Sequence, residues 1–168
     1  MEAICNSYTL SLAINTAIRS GAKILNMSLG GPHDKFLEHL IIKAQEEGIL
    51  IIAADEGVDK QDIRFPASLP GVIGVQSAKP AHDVSGIFAP GIKILTTLPH
   101  GTYDFISGSS ISSAEVSGVI ALLMQLKPDL TFSEAKSVLE KSSLNNSSFT
   151  GINANLAVSN LCKTTHCS

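Results

Sequence analysis

Charge is what this sequence has least of. Only 16% of its 168 residues are Asp, Glu, Lys or Arg, where about 25% is usual for a soluble domain. Twelve cationic side chains against fifteen acidic ones leave a net charge of -3. No basic run is present, which argues against nucleic acid as the main partner, because phosphate binding needs clustered cations. A mean hydropathy of +0.25 excludes disorder, which needs low hydrophobicity and high charge. Long apolar runs are also missing. The longest solid stretches, such as residues 49–54 and 119–124, fall far short of the roughly 18 residues a bilayer helix needs, so no membrane span is expected. Three cysteines, an odd number, make no disulfide framework, and reduced, incidental thiols are expected. Cys162, His166 and Cys167, with Cys5 as a fourth ligand, could be drawn around a metal. No zinc-finger spacing joins them, and neither metal nor cofactor is expected. Residues 1–6 have no cationic start and no long apolar core, so no signal peptide is read. With the thiols, this slightly favours a cytoplasmic setting.

What is present reads as one domain of alternating strands and helices. Leu10, Ala13, Ile14, Ala17 and Ile18 repeat at helical spacing before Gly21. Residues 23–29 are short and mostly apolar, a buried strand closed by Gly30-Gly31-Pro32. Asp34 can cap a second helix with Leu37, Leu40, Ile41 and Ala44 on one face, ended by Gly48. Residues 49–54 are continuously apolar, the pattern of a strand covered on both sides. Strand, helix, strand with short links predicts a βαβ unit and parallel strands. Residues 72–75 and 92–95 read as third and fourth strands, with a loop over 55–70. A helix is predicted from Ser110 to about Leu126, apolar on nearly every face beyond Gly118 and therefore buried in the middle of the fold. Thr131 and Glu134 form a capping box for a last amphipathic helix. From Asn145 the chain is rich in Ser and Asn, and a loosely ordered tail is expected.

A parallel sheet places functional loops at the carboxyl ends of its strands. Three segments fall there: Ser28 to Pro32, the loop at Asp55, and Ser107-Gly108-Ser109-Ser110-Ile111-Ser112-Ser113 at the entry to the buried helix. A serine in that first turn lies in the positive field of the helix, with a backbone N–H able to hold an oxyanion. On the segment alone, helix capping is the leading reading, with Ser112 and Glu115 as a capping box.

The order of segments changes that balance. Residues 21–32, Gly-Ala-Lys-Ile-Leu-Asn-Met-Ser-Leu-Gly-Gly-Pro, resemble the substrate-binding strand of the subtilisin-like serine proteases. Residues 48–57, Phe65-Pro66-Ala67 with 72–75, Phe88-Ala89-Pro90-Gly91, residues 107–118 and Gly151-Ile152-Asn153-Ala154 follow in the family's order. The resemblance implies a three-layer α-β-α fold with a mostly parallel sheet, lacking the N-terminal part of the domain. Residues 1–160 would be a partial catalytic domain and 161–168 a flexible tail. Ser110 falls on the nucleophile, with Ser109 in place of the usual Thr. Ser28, Leu29 and Gly30 fall on the strand that pairs with an extended peptide or protein substrate. Gly31 and Ala53 would border the pocket for the side chain before the scissile bond.

The departures matter as much. The family's catalytic Asp and its His-Gly-Thr-His motif precede the region matched here, and neither has a counterpart in these 168 residues. An upstream segment or a separate chain would have to carry them. His100-Gly101-Thr102 copies three letters of that motif in the wrong order, and reads as a turn beside Pro99. His33, His39, His82 and His166 have no motif around them. The oxyanion loop is about two residues short, and its Asn is either deleted or replaced by Asp55. A carboxylate there would repel a developing oxyanion, and loss of the donor alone costs about 10² to 10³ in rate, a figure taken from subtilisin itself. Asp55, Glu56, Asp59 and Asp62 could suggest calcium, but their spacing misses the EF-hand pattern and a solvated loop is the expectation. Ala114 and Glu115 replace a Pro-His pair. The implied function is the nucleophile- and substrate-binding half of a serine endopeptidase, inactive as this chain alone. The alternatives are a pseudo-protease that binds peptides, or a decayed product without activity.

Overall fold

The structure is a computed structural model and describes residues 5–56, 64–77, 86–145 and 150–165. Helix α1 (Ser7–Arg19) starts at Asn6, which forms a capping box with Thr9. Strand β1 (Ile24–Met27) leads into α2 (Lys35–Glu46), whose first turn is capped by Asp34 as expected from sequence. Strand β2 (Leu50–Ala54) is buried along its whole length. It is followed by β3 (Val72–Ser77) and β4 (Ile87–Ala89). These four form one parallel sheet in the order β1-β2-β3-β4, with Ile24 opposite Leu50, Ile51 opposite Val72 and Val75 opposite Ile87.

The period-2 alternation of β2 divides the core between two layers of helices. Ile51 and Ala53 pack under α1 and α2 with Met27, Leu37 and Phe65. Leu50 and Ile52 face the other side, where α3 (Ser109–Leu126), α4 (Phe132–Lys141) and α5 (Ala154–Thr165) cover the sheet. This is the expected three-layer α-β-α arrangement.

Several local expectations are corrected. The fourth parallel strand is Ile87–Ala89, not residues 92–95. Lys93 has φ +52 and breaks the extended run. The next strand, β5 (Ile94–Leu98), pairs antiparallel with β6 (Thr102–Ile106) as a hairpin turned over Pro99, His100 and Gly101. The capping box expected at Ser112 is absent, because α3 already begins at Ser109 with Gly108 as its N-cap. By length and composition α3 could cross a membrane, but its inner face, with Val116, Ile120 and Leu123, is spent on the sheet. Its outward face is not covered: Ala114, Gly118, Ala121 and Leu122 are exposed, so the helix is not buried all round.

The tail reading also gives way. Strands β7 (Ser143–Asn145) and β8 (Thr150–Ile152) pair antiparallel. Helix α5 follows, its start bonded to Asn153 Oδ1. Ala157 and Leu161, one helical turn apart among serines and asparagines, are buried, and the helix continues through Thr165. Cys162 on that helix is disulfide-bonded, against the expectation of reduced thiols, while Cys5 is free and exposed. The metal sketch therefore loses a thiolate. His166 and Cys167 lie outside the described residues.

Candidate active site at the end of β1

The carboxyl end of β1 and the first turn of α3 are fastened by hydroxyl groups. Ser110 Oγ donates to the Ser28 carbonyl at 3.0 Å. In return, Ser28 Oγ lies 2.9 Å from the Ser110 carbonyl and 3.0 Å from Ser113 Oγ. Asn26 Nδ2 donates to Ser28 Oγ at 2.9 Å, and Ser113 Oγ is 3.0 Å from the Ser110 carbonyl. The expected nucleophile and the expected peptide-binding strand are thus in direct contact. Asn26 and Ser113 were not singled out from sequence. The only signal for Asn26 was a polar residue inside an otherwise apolar strand.

Close packing sets where α3 starts. Gly108 has φ +152, in the region that favours glycine, and its N–H bonds the Gly91 carbonyl at 2.8 Å. Ser112 is fully buried, and its hydroxyl lies 3.1 Å from the Ala89 carbonyl and 3.0 Å from that of Pro90. Gly91 leaves no room for a side chain, because a Cβ there would run into Ser112 Oγ. No side chain caps the helix, so its first-turn N–H groups and the positive end of its dipole remain on the Ser110 side.

The loop after β2 splits its two acidic residues between the two faces of the sheet. Asp55 follows Ile51 and Ala53 on the α2 side. It is buried, takes a two-point bond from Arg64 at 2.9 and 2.8 Å, and accepts a third from Gln76 at 3.3 Å. The bond to Asp55 raises the Arg64 pKa further. Asp55 is therefore held by Arg64 and Gln76 rather than standing in a solvated loop. Glu56 is the residue that turns to the α3 side, where Ser109 Oγ donates to its Oε1 at 2.6 Å. Alternation along β2 was the available signal for this. Asp59 and Asp62 lie outside the described residues, and no group of three possible metal ligands occurs among the described ones.

Beyond Ser28 the chain holds Leu29, Gly30 and Gly31 along a cavity of about 380 Å³ whose other walls include Leu10, Leu37 and Phe65. Gly31 N–H bonds the Phe65 carbonyl at 3.0 Å, which fixes this rim. Ala53 does not line that cavity and is fully buried in the core. None of the three described histidines contacts Ser110. His33 Nε2 pairs with Glu38, His39 Nδ1 with the Lys35 carbonyl, and His100 forms the hairpin turn with φ +66. His82 lies outside the described residues.

The sequence profile of the subtilase family matches residues 3–160. This chain belongs to the subtilase family. It is 32% identical to subtilisin from Bacillus pumilus over 141 residues, covering 76% of this chain and 51% of that protein. It is 33% identical to the major intracellular serine protease of Bacillus subtilis over 125 residues, covering 66% of this chain and 39% of that one. Among solved structures, the prenylagaramide maturation protease PagA is 32% identical and superposes with a TM-score of 0.77, covering 96% of this chain and 70% of the other. The S218A mutant of the PatA protease domain is 28% identical at the same TM-score, covering 100% of this chain and 70% of the other. This subtilase thus spans between 34% and 53% of the length of these curated relatives.

Proposed function

We propose that this chain is the nucleophile- and peptide-binding half of a subtilisin-like serine endopeptidase, inert until an Asp and a His reach Ser110 from upstream sequence or another chain. The observation that supports this most is the bond from Ser110 Oγ to the Ser28 carbonyl. It sets a helix-start hydroxyl beside the strand that would hold an extended peptide through its backbone. With a base in place, Ser110 Oγ would lose its proton to that base and attack the scissile carbonyl, giving an acyl-enzyme that water then cleaves. Without one, Ser110 is a plain alcohol. In subtilisin, removing the nucleophile or the His alone costs about 10⁶ in kcat.

Two open surfaces support a requirement for a partner. Among the described residues β1 pairs on one side only, with β2, so one edge of a parallel sheet is bare. The outward face of α3 carries Ala114, Gly118, Ala121 and Leu122 where a surface helix would carry charge.

The test is complementation. A fluorophosphonate probe should leave this chain unlabelled, and should label Ser110 when a segment carrying the family's Asp and His motifs is added. Labelling of the isolated chain that Ser110→Ala abolishes would overturn the requirement for a partner. A second reading, a peptide-binding pseudo-protease, is favoured by the acidic Glu56 beside the helix start. It predicts saturable binding of extended peptides, lost with a bulky residue at Gly30, and no labelling under any complementation.

A further inference from the structure

We propose that the outward face of the β5–β6 hairpin is a self-association surface, and that its occupant is the same face of a second copy of this chain. The inference does not depend on the part given to Ser110. The hairpin stands apart from the three-layer body. The main contacts of β5 and β6 are with each other, and among the described residues neither joins another strand. A hairpin of two strands is marginally stable in water unless an apolar face is covered. The register sets Leu95 opposite Phe105 and Thr97 opposite Tyr103, so period-2 alternation brings these four side chains to one face. Tyr103 is 69% exposed, Phe105 63% and Leu95 58%, with Ile92 at 60% just ahead of β5 in the chain.

The Phe105 N–H is taken by the Asp104 carboxylate at 2.7 Å, and a charged side chain on an outer strand discourages the addition of a further strand. The face, not the edge, is therefore what the hairpin offers. Leu95, Thr97, Tyr103 and Phe105 carry no charge, so two copies of this face meet without repulsion. Bulk is also divided between the strands: both aromatic rings stand on β6, and the smaller Leu95 and Thr97 on β5. A twofold axis parallel to the strands lays β6 of one copy over β5 of the other. Large side chains then meet small ones, as facing layers require. Taking roughly 200 Å² for an aromatic side chain and about 100 Å² for an aliphatic one, the exposed fractions amount to about 400 Å² per copy. A symmetric pair buries about 800 Å², below the roughly 1,200 Å² at which stable interfaces begin. The pair is accordingly transient and is populated at high protein concentration.

Sedimentation equilibrium of the full chain over a range of concentrations tests this. The weight-average mass should rise from 17.6 kDa toward twice that value as concentration increases. Phe105→Lys and Leu95→Lys place a charge in the apolar contact, and each should weaken the pairing about tenfold or more. Gly118→Lys puts a charge on the outward face of α3 instead, at a position where a side chain meets nothing, and should leave the pairing unchanged. In the natural chain, amide NMR signals of residues 94–106 should shift with concentration while those of residues 114–122 stay fixed, a measurement that needs no variant to fold. A mass of 17.6 kDa at every concentration overturns the proposal, as does a dimer weakened by Gly118→Lys and not by the hairpin variants. Dissolution of the pair by a segment carrying the family's Asp and His motifs, with shifts in the hairpin amides, assigns the face to that segment and overturns it too.

Discussion

An alanine at position 91 would bring its Cβ into Ser112 Oγ and to within 2.7 Å of Ser77 Oγ and 3.0 Å of the Gly108 carbonyl. Ser112 cannot step aside cheaply, because it is fully buried and its hydroxyl is held between the carbonyls of Ala89 and Pro90. Overpacking a filled site costs about 1–3 kcal/mol, and losing the Ser112 bond adds about 1 kcal/mol. Gly91→Ala should therefore destabilise by about 2–4 kcal/mol. With a urea m-value of about 1–3 kcal/mol/M, the midpoint should fall by roughly 1–2 M, read by far-UV circular dichroism. Ser112→Ala alone should cost about 1 kcal/mol, yet in the Gly91→Ala background it should recover stability by removing the worst contact. The double mutant should then differ from the sum of the singles by about 1 kcal/mol or more. A midpoint within about 0.3 M of the natural chain, or strict additivity, would refute the claim that Gly91 sets the seat of α3.

Arg64→Met should cost about 2–4 kcal/mol in a thermal melt by taking the guanidinium away from the buried Asp55 carboxylate, with much of the loss returned by adding Asp55→Asn. The Glu134 carboxyl is held down at about 2 by Lys127 and by the Thr131 backbone and hydroxyl. Its contribution is present above the ordinary value of 4.5 and disappears as pH falls toward 2, so Glu134→Gln should flatten the acid limb of the stability curve there. Burial raises the Glu115 pKa. Glu115→Gln should then raise the melting temperature at neutral pH, where the carboxylate is charged, and leave it unchanged well below the carboxylate range.

The features legible in the sequence were those decided locally. Asp34 and the Thr131–Glu134 pair form the caps they predict, because capping depends on residues three apart. The apolar run of β2 pointed to a parallel sheet covered on both faces, and the family order singled out Ser28 and Ser110, which the fold brings into contact. What was missed depends on contacts distant in sequence. Ser112 looked like a cap residue but is used by two carbonyls more than twenty residues away. The Asp55–Arg64 pair could not be read from a loop that is merely acidic, and only strand alternation separates Asp55 from Glu56. Helix α5 escaped notice because two buried residues, Ala157 and Leu161, anchor it within a polar stretch.

The edge of β1 that is unpaired among the described residues has a thermodynamic consequence for the proposed partner. A parallel neighbour cannot be added by a tight hairpin and must arrive through a long crossover, so the covalent link to it contributes proximity rather than contacts. A flexible link of that kind holds its segment at an effective concentration in the millimolar range. Supplied as a separate chain at micromolar concentration, the same segment forgoes about a thousandfold in occupancy, or roughly 4 kcal/mol. Covering β1 and the outward face of α3 must make up that difference, which places a lower bound on how strongly any separate partner has to bind.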